Sequence, residues 1–248
     1  MLKFKFIVAG LICCFLGAGC RTSLDELLSK MDNATDPSNK LRTVKTKLVK
    51  AEMTIPAQKL KMQMTVINKY PNKTKTIVNI PGVMNSVQGY NGKDAWEFTK
   101  GMGVRKASGA ELNFIKFQTQ LDNPNSKLKD VFAKIELDED GESVSGYACY
   151  KLTCYPPEAC KLSPFILYVD KSSYYTRKIS MTAVTGLGSV PSMLELSDFK
   201  AIQGIITPLH MKIKQMGMNI MVKIISVEYG AEVSDSTFDI PGVNKKGK

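Results

Sequence analysis

The run Lys59-Leu60-Lys61-Met62-Gln63-Met64-Thr65-Val66 constrains this chain more than any other feature. Successive side chains on a strand point to opposite faces. Leu60, Met62, Met64 and Val66 therefore share one face, and Lys59, Lys61, Gln63 and Thr65 share the other. That is the pattern of a half-buried strand in an antiparallel sheet. The period recurs along the chain. Val44, Thr46, Leu48 and Lys50 alternate into Met53 and Ile55 until Pro56 breaks the run. Strands over 74–80 and 83–90 flank Pro81-Gly82. Asn91-Gly92 then reads as a two-residue hairpin turn, with Trp96 on its second arm. A short strand is predicted over 102–106. The second half predicts strands over 131–137, 144–153, 164–170, 174–184, 193–199, 205–215 and 218–229. Asp140-Gly141, Lys171-Ser172-Ser173 and Gly217 are the expected turns.

Two segments break the period. Ser23 and Glu26 have capping-box spacing, and Leu24, Leu27, Leu28 and Met31 fall on one helical face. Ser108 and Glu111 repeat the spacing ahead of Leu112, Ile115, Phe117 and Leu121, before Asn123-Pro124-Asn125. Ten or more consecutive strands with two helices predict a mainly β chain. Its antiparallel sheet should be strongly curved and partly closed. A hydrophobic share of 44% excludes a disordered chain. Formal net charge is +11. Lys45, Lys47 and Lys50, or Lys212 and Lys214, alternate with apolar residues and read as the solvated side of strands. No compact basic and aromatic motif accompanies them, so nucleic acid is not an expected partner.

Residues 1–19 have the three parts of an export signal. Lys3 and Lys5 are followed by an apolar run from Phe6 to Leu16, then Gly17, Ala18 and Gly19 precede Cys20. The run is shorter than the roughly 20 residues of a membrane span. A small residue before a cysteine here resembles the bacterial lipobox, although Gly17 stands where that motif has Leu. Cleavage would leave Cys20 as an acylated N-terminus, and several acyl chains anchor firmly. The alternative is ordinary cleavage near Gly19 with a free Cys20; the residues favour lipidation. The expected organisation is a signal peptide over 1–19, then a lipidated N-terminus and first helix over 20–40. A β domain over 41–241 and a basic tail over 242–248 follow.

With Cys13 and Cys14 in the leader, Cys149, Cys154 and Cys160 remain. Cys154 and Cys160 flank a turn and are candidates for pairing, which would leave Cys149 free. Metal binding is not expected without a tight Cys-x-x-Cys pair and with one His. His210 has no partner nucleophile in a recognisable elbow, so neither catalysis nor a cofactor is expected. The acidic group Glu136, Asp138, Glu139, Asp140 and Glu142 does not meet calcium-loop spacing and reads as a solvated turn.

Several stretches resemble one family. Val87-Gln88-Gly89-Tyr90-Asn91-Gly92-Lys93-Asp94-Ala95-Trp96-Glu97 is similar to the hairpin of LolA-like outer-membrane lipoprotein-sorting proteins. Tyr150-Lys151-Leu152 with Leu167-Tyr168-Val169-Asp170, then Asp198-Phe199, Gly204-Ile205-Ile206-Thr207-Pro208 and Asp235-Ser236-Thr237-Phe238 are similar to its later strands and closing stretch. The resemblance spans about residues 40 to 241. It implies an unclosed half β-barrel with about two helices on its concave side, over an apolar cavity that takes acyl chains. In the soluble carrier that cavity shelters lipidated cargo across the periplasm. Cys20 instead implies a member held at the membrane of a bacterial cell envelope and facing the periplasm, with outer membrane preferred over inner.

Met suits a cavity that must re-pack around a floppy ligand. Met53, Met62, Met64, Met211, Met218 and Ile220 are the candidate lining residues, with Trp96 either at the mouth or in the hairpin core. The expected function is non-catalytic binding of a lipid or lipoprotein acyl chain, in lipoprotein sorting or lipid transport with an envelope partner. The alternative is a structural or interaction lipoprotein that uses the same fold as a packed scaffold.

Overall fold

The structure, a computed structural model, describes residues 22–242 except Pro81 and Val83. The signal peptide, Cys20 and the basic tail beyond Gly242 lie outside the described residues.

Thirteen strands form one antiparallel sheet among the described residues. They are β1 (Thr46–Ile55), β2 (Leu60–Lys69), β3 (Lys73–Ile80), β4 (Met84–Tyr90), β5 (Ala95–Thr99), β6 (Gly103–Lys106) and β7 (Lys134–Val144). The others are β8 (Tyr147–Tyr155), β9 (Phe165–Asp170), β10 (Thr176–Thr185), β11 (Gly188–Ile202), β12 (Ile205–Gln215) and β13 (Met218–Tyr229). Spatial order runs from β6 down to β1, then from β13 down to β7. The first and last strands therefore pair and join two meanders, while β6 and β7 remain as free edges. The sheet is curved but not closed into a barrel. Edge β7 carries Glu136, Asp138, Asp140 and Glu142, charges that discourage pairing with another chain.

Helices α1 (Leu24–Thr35), α2 (Gly109–Leu121) and the short α3 (Leu128–Val131) complete the chain. The Ser23 side chain accepts from the Glu26 amide, as its spacing predicts. Ser108 makes no such bond, and the Glu111 carboxylate pairs with Arg105 rather than reaching back to the cap. Helices α1 and α2 lie on the concave face. Leu27, Leu28, Met31, Phe114 and Phe117 pack there against Leu152, Cys154, Phe165, Leu167 and Val169. Phe117 meets the rings of Phe132 and Phe165 at 5.3 and 5.4 Å. Burying each such ring contributes about 2–3 kcal/mol.

Three local expectations shift. The turn after β4 is Gly92-Lys93, one residue on from Asn91-Gly92. Asn91 closes it from outside, its side chain accepting from the Lys93 and Asp94 amides at 3.0 and 2.8 Å. Asp140-Gly141 is not a turn but an irregularity within β7, where both amides donate to the Asp138 carboxylate. The hairpin tip falls at Ser145-Gly146, both at positive φ. In β1 the concave face takes Val49, Ala51, Met53 and Ile55, which puts Thr46 and Leu48 on the outer face.

Cys149, Cys154 and Cys160 are free thiols, so the expected Cys154–Cys160 pair is not formed. Cys154 points into the helix-covered core, where burial pushes its thiol up to about 12. Asp170 is the polar pivot of the outer face and is 2% exposed. It accepts from the Ser172 and Ser173 hydroxyls at 2.7 and 2.8 Å and from two Arg177 nitrogens at 3.0 and 2.7 Å. That network holds the Lys171–Ser173 connection. It also places the Arg177 guanidinium 3.8 Å from the Tyr147 ring centre and 5.0 Å from that of Phe199.

Candidate ligand-binding hollow

Cross-strand register decides which side chains share the concave face. Leu137, Leu152, Leu167, Ile179, Leu194, Ile213 and Ile220 pair in sequence from β7 to β13. Seven consecutive strands thus contribute one aliphatic row. Its Leu152 and Leu167 end is buried beneath the helices. Ile179, Leu194, Ile213 and Ile220 are only half-buried. The row emerges from under the helical cover while staying apolar.

A second row runs Leu196, Met211, Val222, Met53, Met62. A third runs Ile224, Ala51, Met64, Val78. The candidate residues Met53, Met62, Met64, Met211 and Ile220 therefore lie together on the concave floor. Met218 joins them through Gln215, its partner on β12. Met62 and Val222 are buried, whereas Met53, Met64, Leu196 and Met211 are half-buried. Flexible thioethers interleaved with aliphatic groups make a surface able to re-pack around an alkyl chain.

Trp96 is elsewhere. It pairs with Gly89, which pairs with Lys75, which pairs with Ile67 on β2. Ile67 has the opposite parity to Met62 and Met64, so Trp96 lies on the outer face. The indole covers Gly89 so closely that a Cβ there would sit 2.4 Å from the ring. Its Nε1 donates to the Phe238 carbonyl at 3.2 Å, in the 3-10 turn Asp235–Phe238. Trp96 fastens the end of the chain to the sheet and does not touch the concave floor.

One end of the hollow is closed by polar groups. Asp122, just past α2, meets Lys47 Nζ at 3.3 Å and accepts from the Asn68 amide. The Thr74 hydroxyl donates to the Asn68 oxygen at 2.7 Å. Burial works against the Lys47 ammonium, but Asp122, with Tyr70 and Tyr229 beside it, outweighs burial and holds the group above its ordinary range. Burial also pushes the neighbouring Tyr70 up to about 12.

The opposite end is open. A cleft of about 720 Å³ lies between the β10–β11 and β12–β13 connections, lined by Val190, Gln215, Met216 and Met218 among others. Its size falls within the range of small-molecule sites. Nearby, Arg105 of edge β6 bonds Glu111 of α2 at 2.6 and 2.8 Å and Glu97 at 2.8 Å. Gly186 in the β10–β11 turn abuts the same guanidinium. This clamp ties the sheet edge, the helix and the turn together beside the cleft. A second cleft of about 710 Å³, lined by Thr46, Lys69 and Ala231 among others, touches none of the candidate residues.

His210 lies 3.7 Å from Asp198 on the surface. Among the described residues no cluster of His, Cys, Asp or Glu is suited to a metal ion.

Similar architectures exist among solved structures. A DUF1329 family protein from Desulfovibrio piger superposes with a TM-score of 0.59 at 18% identity, over 86% of this chain and 95% of that one. A LolA superfamily protein from Nitrosomonas europaea gives 0.58 at 15% identity, over 87% and 96%. The fold is LolA-like. A putative outer membrane lipoprotein-sorting protein domain from Vibrio parahaemolyticus gives 0.54 at 12% identity, over 86% and 94%. No protein-family model matches the sequence, and no curated protein matches it. Within the LolA-like fold, Lys47, Asp122, Leu194, Ile213 and Gln215 join the candidate hollow although the sequence did not single them out for it. Leu194 and Ile213 carried the right alternation, but only pairing puts them in line with Ile220.

Proposed function

We propose that this chain is a non-catalytic lipoprotein of the bacterial envelope that binds an alkyl or acyl chain in the hollow of its LolA-like fold. The observation that carries this reading is the aliphatic row, which leaves the helical cover and continues half-buried to Ile220. A folded chain gains by covering such a surface, and each methylene of a guest contributes about 0.8 kcal/mol. A sixteen-carbon chain would then offer on the order of 10 kcal/mol before ordering and association costs.

Acylation at Cys20 would tether the domain to a membrane facing the periplasm, the outer membrane by preference. The tether separates this chain from a soluble shuttle and favours receipt or holding of lipid or lipoprotein acyl chains, with an envelope transport partner. The resemblance of its strands to lipoprotein-sorting proteins supports the sorting or lipid-transport role.

A scaffold reading draws on one feature. Beneath α1 and α2 the core is filled by its own side chains, with Leu27, Phe117, Leu152 and Val169 at 0–1% exposure. Only the uncovered half of the concave face separates the two readings. The test is to purify the protein without detergent and extract it for mass spectrometry. Co-purified acyl lipid, removed by delipidation and restored on exposure to palmitate, is the expected result. Repeated absence of lipid and no palmitate uptake would leave the scaffold.

A further inference from the structure

Beside the open cleft two neighbouring side chains, Ser192 and Gln215, break the apolar pattern of the floor, and Ser192 is the buried one. Ser192 on β11 pairs with Met181 on one side and Gln215 on the other. Met181 packs on the helix-covered core, so Ser192 points to the same concave face. It is 6% exposed, and its Oγ has no hydrogen-bond partner among the described residues. A buried hydroxyl left unpaired costs more than a made hydrogen bond returns. Alanine would fill the position without that cost. The Thr207 and Thr119 hydroxyls, also on buried residues, are bonded within the protein.

The surroundings narrow what could pair with it. Ser192 stands between Val190 and Leu194 on its own strand, so a partner must arrive along an apolar floor. The Gln215 amide beside it can donate and accept. The cleft at Val190 and Gln215 opens this end to solvent, while Lys47, Asn68 and Asp122 close the other. An alkyl chain entering at the cleft would run toward the closed end and leave its first polar group near the mouth.

We propose that Ser192 is a ligand-binding residue that donates to the carbonyl of a fatty-acyl ester, fixing the guest with its ester at the cleft and its chain along the floor. This rests on the hollow being a binding site. The neutral hydroxyl and amide match an ester linkage. Glycerolipids and acylated lipoproteins both supply that chemistry.

The test compares monopalmitoylglycerol with hexadecylglycerol, its ether analogue without the carbonyl, on wild type and Ser192→Ala. Wild type is expected to bind the ester roughly five- to ten-fold more tightly, and S192A to lose that preference while still binding the ether. Ligand-free S192A should also melt about 2–4 °C higher, because an unpaired buried hydroxyl is gone. The same preference shown by a dipalmitoyl lipopeptide assigns the ester to a lipoprotein, and by monopalmitoylglycerol alone to a glycerolipid. Either result supports the anchor. Equal affinity of wild type for ester and ether, or equal weakening of both by S192A, overturns the anchor and leaves the hollow standing. Failure of wild type to bind either compound overturns the hollow, and the anchor with it.

Discussion

At the scale of single residues, the outer face depends on Asp170. Burial works to raise its pKa, but hydrogen bonds from Ser172, Arg177 and Ser173 outweigh this and hold it well below the ordinary 3.8. A carboxyl depressed in the folded state contributes stability above its unfolded pKa and loses it as pH falls toward the folded value. Wild type should therefore lose more stability than Asp170→Asn between about pH 5 and about pH 3. Asp170→Ala strands the Arg177 guanidinium, whose side chain is 13% exposed, and should cost about 3 kcal/mol in urea unfolding at neutral pH. Equal acid sensitivity of wild type and D170N would show that the network does not govern this window. Tyr147 and Phe199 would lose their cation in the D170A protein only if Arg177 reorients.

At the scale of elements, alternation and local turn chemistry made most strands and both long helices legible in the sequence. Leu60 to Val66 reads correctly because one face is wet, and Ser23 with Glu26 reads correctly because capping is local. What was not legible depended on distant partners. Glu111 leaves its cap position for Arg105, which sequence spacing cannot register. Asp138 turns a Gly-containing stretch into an irregularity inside a strand rather than a hairpin tip. Trp96 follows the period of β5, but which face is covered is decided by Phe238, 142 residues away. The hairpin of β4 and β5 and the closing 3-10 turn therefore form one unit on the outer face. Trp96 is the one tryptophan of the chain, and it is 2% exposed. Its emission should be blue-shifted, shielded from acrylamide, and unchanged on addition of palmitate. Trp96→Phe removes the bond to the Phe238 carbonyl and should cost about 1 kcal/mol. Quenching of this tryptophan by an acyl chain carrying bromine would place the guest on the outer face and contradict the site described above.

At the scale of the whole molecule, the arrangement divides one sheet into two regimes. Helices α1 and α2 complete a packed core over β8, β9 and β10. From β11 through β13 to β2 the concave face is mixed: Met62, Val222 and Ala51 are buried, whereas Met53, Met64, Leu196, Met211 and Ile213 are half-buried. A polar plug closes one end and a cleft opens the other. A contiguous apolar surface that stays only half-buried is where a guest would gain most by covering it. The most direct measurement is a titration of a fluorescent fatty acid into the folded protein, repeated with one charge placed on each face. Ile213→Glu puts a carboxylate in the middle of the aliphatic row. Met221→Glu puts one on the outer face, where Met221 is 40% exposed and pairs with Lys212 and Thr54. The expected result is saturable binding by wild type and M221E, competed by palmitate, and a loss of at least about ten-fold in I213E with its fold retained. No saturable binding by wild type, or equal binding by I213E and M221E, would contradict a guest on the concave floor.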